Sequence, residues 1–207
     1  KTLPEGLCKC TNLRELNVAN NALTDLPQGF TQLCNLKRVS VNQNKIMILP
    51  NRLKRLQQLE YLDFSSNVVQ TFPAQFGQIT TLTKLYCDHN ELDMLPGDLN
   101  LMVNLRVLEA SHNKIPQLPG FQSLTCLEKL SLSYNQIGEF PVSICDIPTL
   151  KTLRFSNNHI TDIPLNITKL PLSELDLSYN MLWTLPYQME NMNFEPGKLN
   201  VKGNPFK

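Results

Sequence analysis

Residues 59–81 read LEYLDFSSNVVQTFPAQFGQITT, and the order of apolar and special residues along this stretch decides the fold. Leu62 and Phe64 flank Asp63, an alternation that puts both apolar side chains on one face of a short strand. Asn67 follows where that strand must turn, and its amide carries a donor and an acceptor for backbone groups that the turn orphans. In Phe72-Pro73 the proline sets φ and removes a donor as the chain enters its outer segment. Phe76 and Ile79, three apart, suit one short helical or 3₁₀ turn. A unit this small cannot bury its own apolar edge and is stable only when stacked on copies of itself.

Copies lie on both sides. Asn21, Asn44, Asn67, Asn90, Asn113, Asn135, Asn158, Asn180 and Asn204 follow one another at intervals of 22 to 24 residues. Leu3-Pro4, Leu26-Pro27, Leu49-Pro50, Phe72-Pro73, Leu95-Pro96, Leu118-Pro119, Phe140-Pro141, Ile163-Pro164 and Leu185-Pro186 keep step with them. The chain therefore divides into a half repeat (1–12), eight full repeats (13–195) and a partial repeat (196–207). Repeat 5 lacks one residue after Pro119, repeat 7 is short before Leu172, and repeat 8 carries an extra residue. Stacking such units about 4.8 Å apart predicts an α/β solenoid: a concave parallel sheet with short helical or 3₁₀ turns on the convex side. Neither end reads as a cap, so the chain is expected to be a piece of something longer.

Composition narrows the function. The 207 residues carry a formal net charge of +1, and 18% are charged against 42% hydrophobic, which fits neither a disordered tail nor a dedicated nucleic-acid binder. No apolar run approaches the roughly 18–20 residues of a transmembrane segment. Neither a GxGxxG nor a GxxxxGK[ST] loop occurs, so nothing suggests a phosphate cradle. Six scattered cysteines, of which only Cys8 and Cys10 lie close together, fit reduced thiols and a cytoplasmic chain. Cys10 and Cys87 occupy apolar slots of the repeat and are expected to be buried, with the other four more accessible.

The pattern L-x-x-L-x-L-x-x-N, held in register by nine asparagines and nine Leu-Pro-like pairs, resembles the leucine-rich repeat. The 23-residue form with Leu-Pro at its centre is similar to the intracellular repeats of Ras-suppressor and Scribble-like proteins. That resemblance implies a horseshoe whose concave sheet binds other proteins, among them small GTPases and signalling enzymes, as a scaffold in signal transduction.

The alternation also fixes which residues line the concave face, and aromatic and acidic groups concentrate there in repeats 3 to 6. The candidate partner-binding set is Arg38, Tyr61, Asp63, Lys84, Tyr86, Asp88, His89, Glu109, His112, Tyr134 and Arg154. Tyrosine among small polar groups suits recognition, because its ring offers contact area at low entropic cost. His89 and His112 hold one position in adjacent repeats, yet an open sheet supplies neither further metal ligands nor a pocket for a nucleophile. No catalytic residue, metal or other cofactor, or small-molecule ligand is expected.

A second set marks one flank: Met47, Ile48, Met94 and Trp183 stand in slots where polar residues are the norm, as though forming an apolar strip. Charge is uneven too. Repeat 2 (36–58) holds six bases and no acid, whereas Glu174, Asp176, Glu190 and Glu195 leave repeat 8 without a base. No aromatics interleave with those bases, so nucleic acid is not an expected partner. Three functional readings follow. The first is a non-enzymatic scaffold binding a protein through the concave sheet. The second is a structural subunit held by its flank in a large assembly. The third is a regulatory array fused to a catalytic domain outside the chain.

Overall fold

The computed structural model describes residues 1–207. Nine short strands form one parallel sheet in sequential order: β1 (Glu15–Asn17), β2 (Arg38–Ser40), β3 (Tyr61–Asp63), β4 (Lys84–Tyr86), β5 (Val107–Glu109), β6 (Lys129–Ser131), β7 (Thr152–Arg154), β8 (Glu174–Asp176) and β9 (Leu199–Asn200). The register is unbroken. Leu16, Val39, Leu62, Leu85, Leu108, Leu130, Leu153, Leu175 and Leu199 make one row across it. The one-residue differences in repeat length are therefore absorbed outside the strands.

The strands stay short for a backbone reason. The residue before each asparagine from Asn21 to Asn180 has φ between 52° and 56°: Asn20, Gln43, Ser66, His89, His112, Tyr134, Asn157 and Tyr179. A left-handed residue that is not glycine costs roughly 1–2 kcal/mol. The asparagine that follows offsets this cost. Asn67 Oδ1 accepts the Ile46 N–H at 2.9 Å, while Nδ2 donates to Val41 O at 3.1 Å, Phe64 O at 2.9 Å and Ser65 O at 3.2 Å. Asn67, Asn90, Asn113, Asn135, Asn158 and Asn180 are all buried, each joining two coils in this way.

The core is a continuous ribbon of stacked leucines, isoleucines and phenylalanines, with Phe30, Phe64, Phe76, Phe121 and Phe155 fully enclosed. Each such side chain contributes about 1.5–3 kcal/mol by leaving water. On the convex side the chain forms 3₁₀ turns and no α-helix, at Glu5–Lys9, Gln28–Gln32, Leu53–Arg55, Phe76–Gln78, Leu99–Leu101, Val142–Asp146, Leu165–Lys169 and Tyr187–Asn191. Repeat 5, a residue short after Pro119, has none. No helix is long and apolar enough to cross a membrane.

The cysteines correct one expectation. Cys87 is fully buried, but Cys10 is exposed, because its turn forms the edge of the stack. Cys8, on the same turn, is buried instead: it packs on Gly29, where a β-carbon would lie 2.9 Å from the Cys8 Sγ. Cys145 is buried as well, although its slot on the convex side promised access. Burial pushes all three thiols up, Cys145 to about 11, and Asp88 and Glu109 push Cys87 further. None of the six cysteines is paired.

Candidate functional site

On the concave face, β2 to β5 place side chains in two adjoining rows. Arg38, Tyr61, Lys84 and Val107 align in one, and Ser40, Asp63, Tyr86 and Glu109 in the other. Tyr61 and Tyr86 meet diagonally, with ring centroids 5.4 Å apart, and the Arg38 guanidinium lies 4.2 Å above the Tyr61 ring. Burial raises both phenols, assisted by Asp63 at Tyr61 and by Glu109 at Tyr86.

The acids among these rings differ in their partners. Glu109 forms an ion pair with Lys129, and Glu174 takes both Arg154 at 2.6 Å and Lys198 at 3.4 Å. The Arg154 bond holds Glu174 below the usual carboxylate range. Asp63 and Asp88 have no cation within ion-pair reach. Asp63 Oδ1 accepts from the Ser65 N–H at 3.0 Å and its hydroxyl at 2.7 Å; Asp88 Oδ1 accepts from the Ser111 N–H at 2.9 Å. Burial, with Glu109 and Asp63 nearby, pushes Asp88 up to about 6.

Beside these rows, the left-handed residues form a column of rings. His89 and His112 stack at 4.1 Å, and His112 and Tyr134 at 4.2 Å, each pair within 11° of parallel. Burial and the neighbouring His89 hold His112 below its ordinary pKa. Imidazole lone pairs lie in the ring plane, so two parallel rings do not converge on one metal ion. The arrangement offers flat contact surface rather than ligation.

The structure thus gathers Arg38, Tyr61, Asp63, Tyr86, Asp88, Glu109 and the ring stack into one surface. Lys84 stands exposed between Tyr61 and Val107, and Arg154, neutralised by Glu174, stands two strands beyond Glu109. Lys129 was missed as a member of the site. Its position in the same row as Lys84, one strand from Glu109, was the available signal.

The flank set is exposed, at 57% for Met47, 67% for Ile48, 56% for Met94 and 49% for Trp183, but it is not one strip. Gln70 and Thr71 interrupt it between Ile48 and Met94, and three coils with Gln117, Glu139 and Asp162 separate Met94 from Trp183. Lys207 covers part of Trp183, with Nζ 4.6 Å from the ring centroid.

Three family models match the chain: Leucine rich repeat at residues 11–69, Leucine Rich repeats (2 copies) at 103–143 and Leucine Rich Repeat at 149–170. Together they span more than half of it. No curated protein matches. Among solved structures, an LRR protein of Leptospira interrogans is 27% identical with a TM-score of 0.60, covering 100% of this chain and 70% of its own. The functional domain of InlJ from Listeria monocytogenes is 29% identical with a TM-score of 0.77, covering 88% of this chain and 38% of its own. The ectodomain of the Arabidopsis receptor kinase HAESA, solved with an IDA peptide hormone, is 25% identical with a TM-score of 0.87; the match covers 100% of this chain and 36% of the ectodomain.

Proposed function

Because this chain belongs to the leucine-rich repeat family, we propose that it is a non-enzymatic scaffold whose concave sheet binds a protein segment presenting Arg or Lys beside an apolar side chain. The observation that carries this reading is the pair of carboxylates, Asp63 and Asp88, left without cations among the faces of Tyr61 and Tyr86. A partner's cation would neutralise both acids, while the rings take up apolar contact. The peptide bound by the HAESA ectodomain supports ligand capture by a fold of this kind. The 23-residue repeat and the six free cysteines support a cytoplasmic member of the Ras-suppressor and Scribble-like type, with a small GTPase or signalling enzyme as partner.

The exposed Met47, Ile48, Met94 and Trp183 favour a second reading, a structural subunit held by its flank. Crosslink-mapped pull-down followed by titration of the captured partner separates the two. Tyr86→Ala is expected to cost about 1–4 kcal/mol of binding, and Asp63→Arg to abolish it by facing the partner's base with a like charge. Circular dichroism should stay unchanged for both. Loss of capture in Trp183→Ala, with Tyr86→Ala and Asp63→Arg still binding, would transfer the function to the flank.

A further inference from the structure

Between Asp25 and Glu60 the chain holds no acid, yet it carries Lys37, Arg38, Lys45, Arg52, Lys54 and Arg55. Two of these bases are engaged: Lys37 pairs with Glu60 at 3.3 Å, and Arg38 lies over Tyr61. The remaining four form no ion pair. Arg52 caps the 3₁₀ turn Leu53–Arg55 at its start, and Arg55 is its last residue. Lys54, between them, reaches to Gln75 on the next coil.

Both arginines line a groove of about 530 Å³ between the convex turns of the first two full repeats. Pro27 and Pro50 lie in its walls, Gln28 and Gln32 supply amides, and Asp25 adds a carboxylate that pairs with neither arginine. Ile48, 67% exposed, lines the same groove, and Met47 beside it is 57% exposed. Cationic, amide and aliphatic groups therefore meet in one recess, on the convex side of a sheet whose concave face carries unpaired acids.

We propose that this groove is a second docking site, independent of the concave face, for an acidic protein segment that sets carboxylates on Arg52 and Arg55 and an aliphatic side chain against Ile48. Charge complementarity selects the class of partner: two unneutralised guanidiniums raise the local concentration of anions and orient carboxylates through paired N–H donors. The recessed shape and the glutamine amides suit an extended peptide, whose backbone they can hydrogen-bond, better than the flat surface of a bilayer. With a basic partner on the concave face and an acidic one here, the chain can hold two different proteins at once.

The test is a heteronuclear NMR titration of the 207-residue chain with a synthetic peptide bearing two glutamates three residues apart and a leucine between them. Saturable shifts at residues 28–32 and 48–55, with none in β3 or β4, are expected. Arg55→Glu should weaken that peptide at least about tenfold, Asp63→Arg should leave its affinity unchanged, and the glutamine version of the peptide should not bind. Shifts confined to the concave face would overturn the proposal, as would an absence of shifts in the groove or full affinity in Arg55→Glu. Capture of phosphatidylserine vesicles without the peptide would assign the groove to a membrane instead. Failure of the concave-face test leaves each of these outcomes intact.

Discussion

Asn113 joins two coils through a single amide. Its Oδ1 accepts the Leu92 N–H, and its Nδ2 donates to the carbonyls of Cys87, Ala110 and Ser111. Asn113→Ala leaves those buried groups without partners and should cost about 1–3 kcal/mol in denaturant unfolding. Asn204 bonds Leu182, Leu177 and Val201 from a half-buried position. Water can replace its amide, so Asn204→Ala should cost less; equal midpoint losses would contradict this account of the ladder. Asp88 makes a prediction of opposite sign. Its folded pKa of about 6 exceeds the ordinary 3.8, so its contribution to stability is fully present below the ordinary value and is lost as pH rises through about 6. Asp88→Asn keeps an acceptor for Ser111 and removes the charge. It should raise stability by no more than about 3 kcal/mol at neutral pH, with the gain vanishing by about pH 3.5. Thermal unfolding of both proteins across that range checks the sign.

At the scale of the element, the outer turns are set by what stacks on them. A β-carbon on Gly77 would lie 2.0 Å from the Asp98 carbonyl oxygen, and the Gly77 N–H donates to Asp98 Oδ1 at 2.9 Å. The turns Phe76–Gln78 and Leu99–Leu101 approach each other only because glycine stands there. Gly77→Ala should cost at least about 2 kcal/mol by prising these turns apart, whereas Gly97→Ala, with open space around its β-carbon, should change stability by less than about 1 kcal/mol. Similar losses for the two variants would remove the steric explanation. The same dependence on neighbours bears on the cysteines: Cys10 sits in the repeat's apolar slot yet stays exposed, whereas Cys8 is buried and packs on Gly29 of the next coil.

At the scale of the whole molecule, every strand pairs only with its predecessor and successor, so stability is a sum of neighbouring interfaces. The middle of the sheet is sealed, with Leu85, Leu108 and Leu130 fully buried, whereas both residues of β9 are exposed and β1 is largely open. Hydrogen exchange of the 207-residue chain should therefore show β1 and β9 losing protection at least about tenfold faster than β4 to β6. Uniform protection would mean that the array opens only as a whole. The unpaired Asp63 and Asp88 lie on the concave side of the arc, and the unpaired Arg52 and Arg55 on its convex side.

Spacing along the chain is enough to specify the solenoid, the parallel sheet, the asparagine ladder and the concave address of residues such as Tyr61, Asp63, Tyr86 and His112. Those features follow from spacing, and an alternation or an asparagine at a fixed period acts on the backbone within one repeat. The missing residue after Pro119 was visible, but not that it removes the outer turn of repeat 5, since repeat 7, also short, keeps the turn Leu165–Lys169. The contacts between coils come from packing. It stacked His89, His112 and Tyr134 face to face, gave Lys129 to Glu109 while leaving Asp63 and Asp88 unpaired, and turned Arg52 and Arg55 into one groove. These contacts join side chains 20 to 23 residues apart, or depend on which way a turn faces. Periodicity supplies the address of each side chain, but its rotamer and partner are chosen only when the neighbouring coil packs against it.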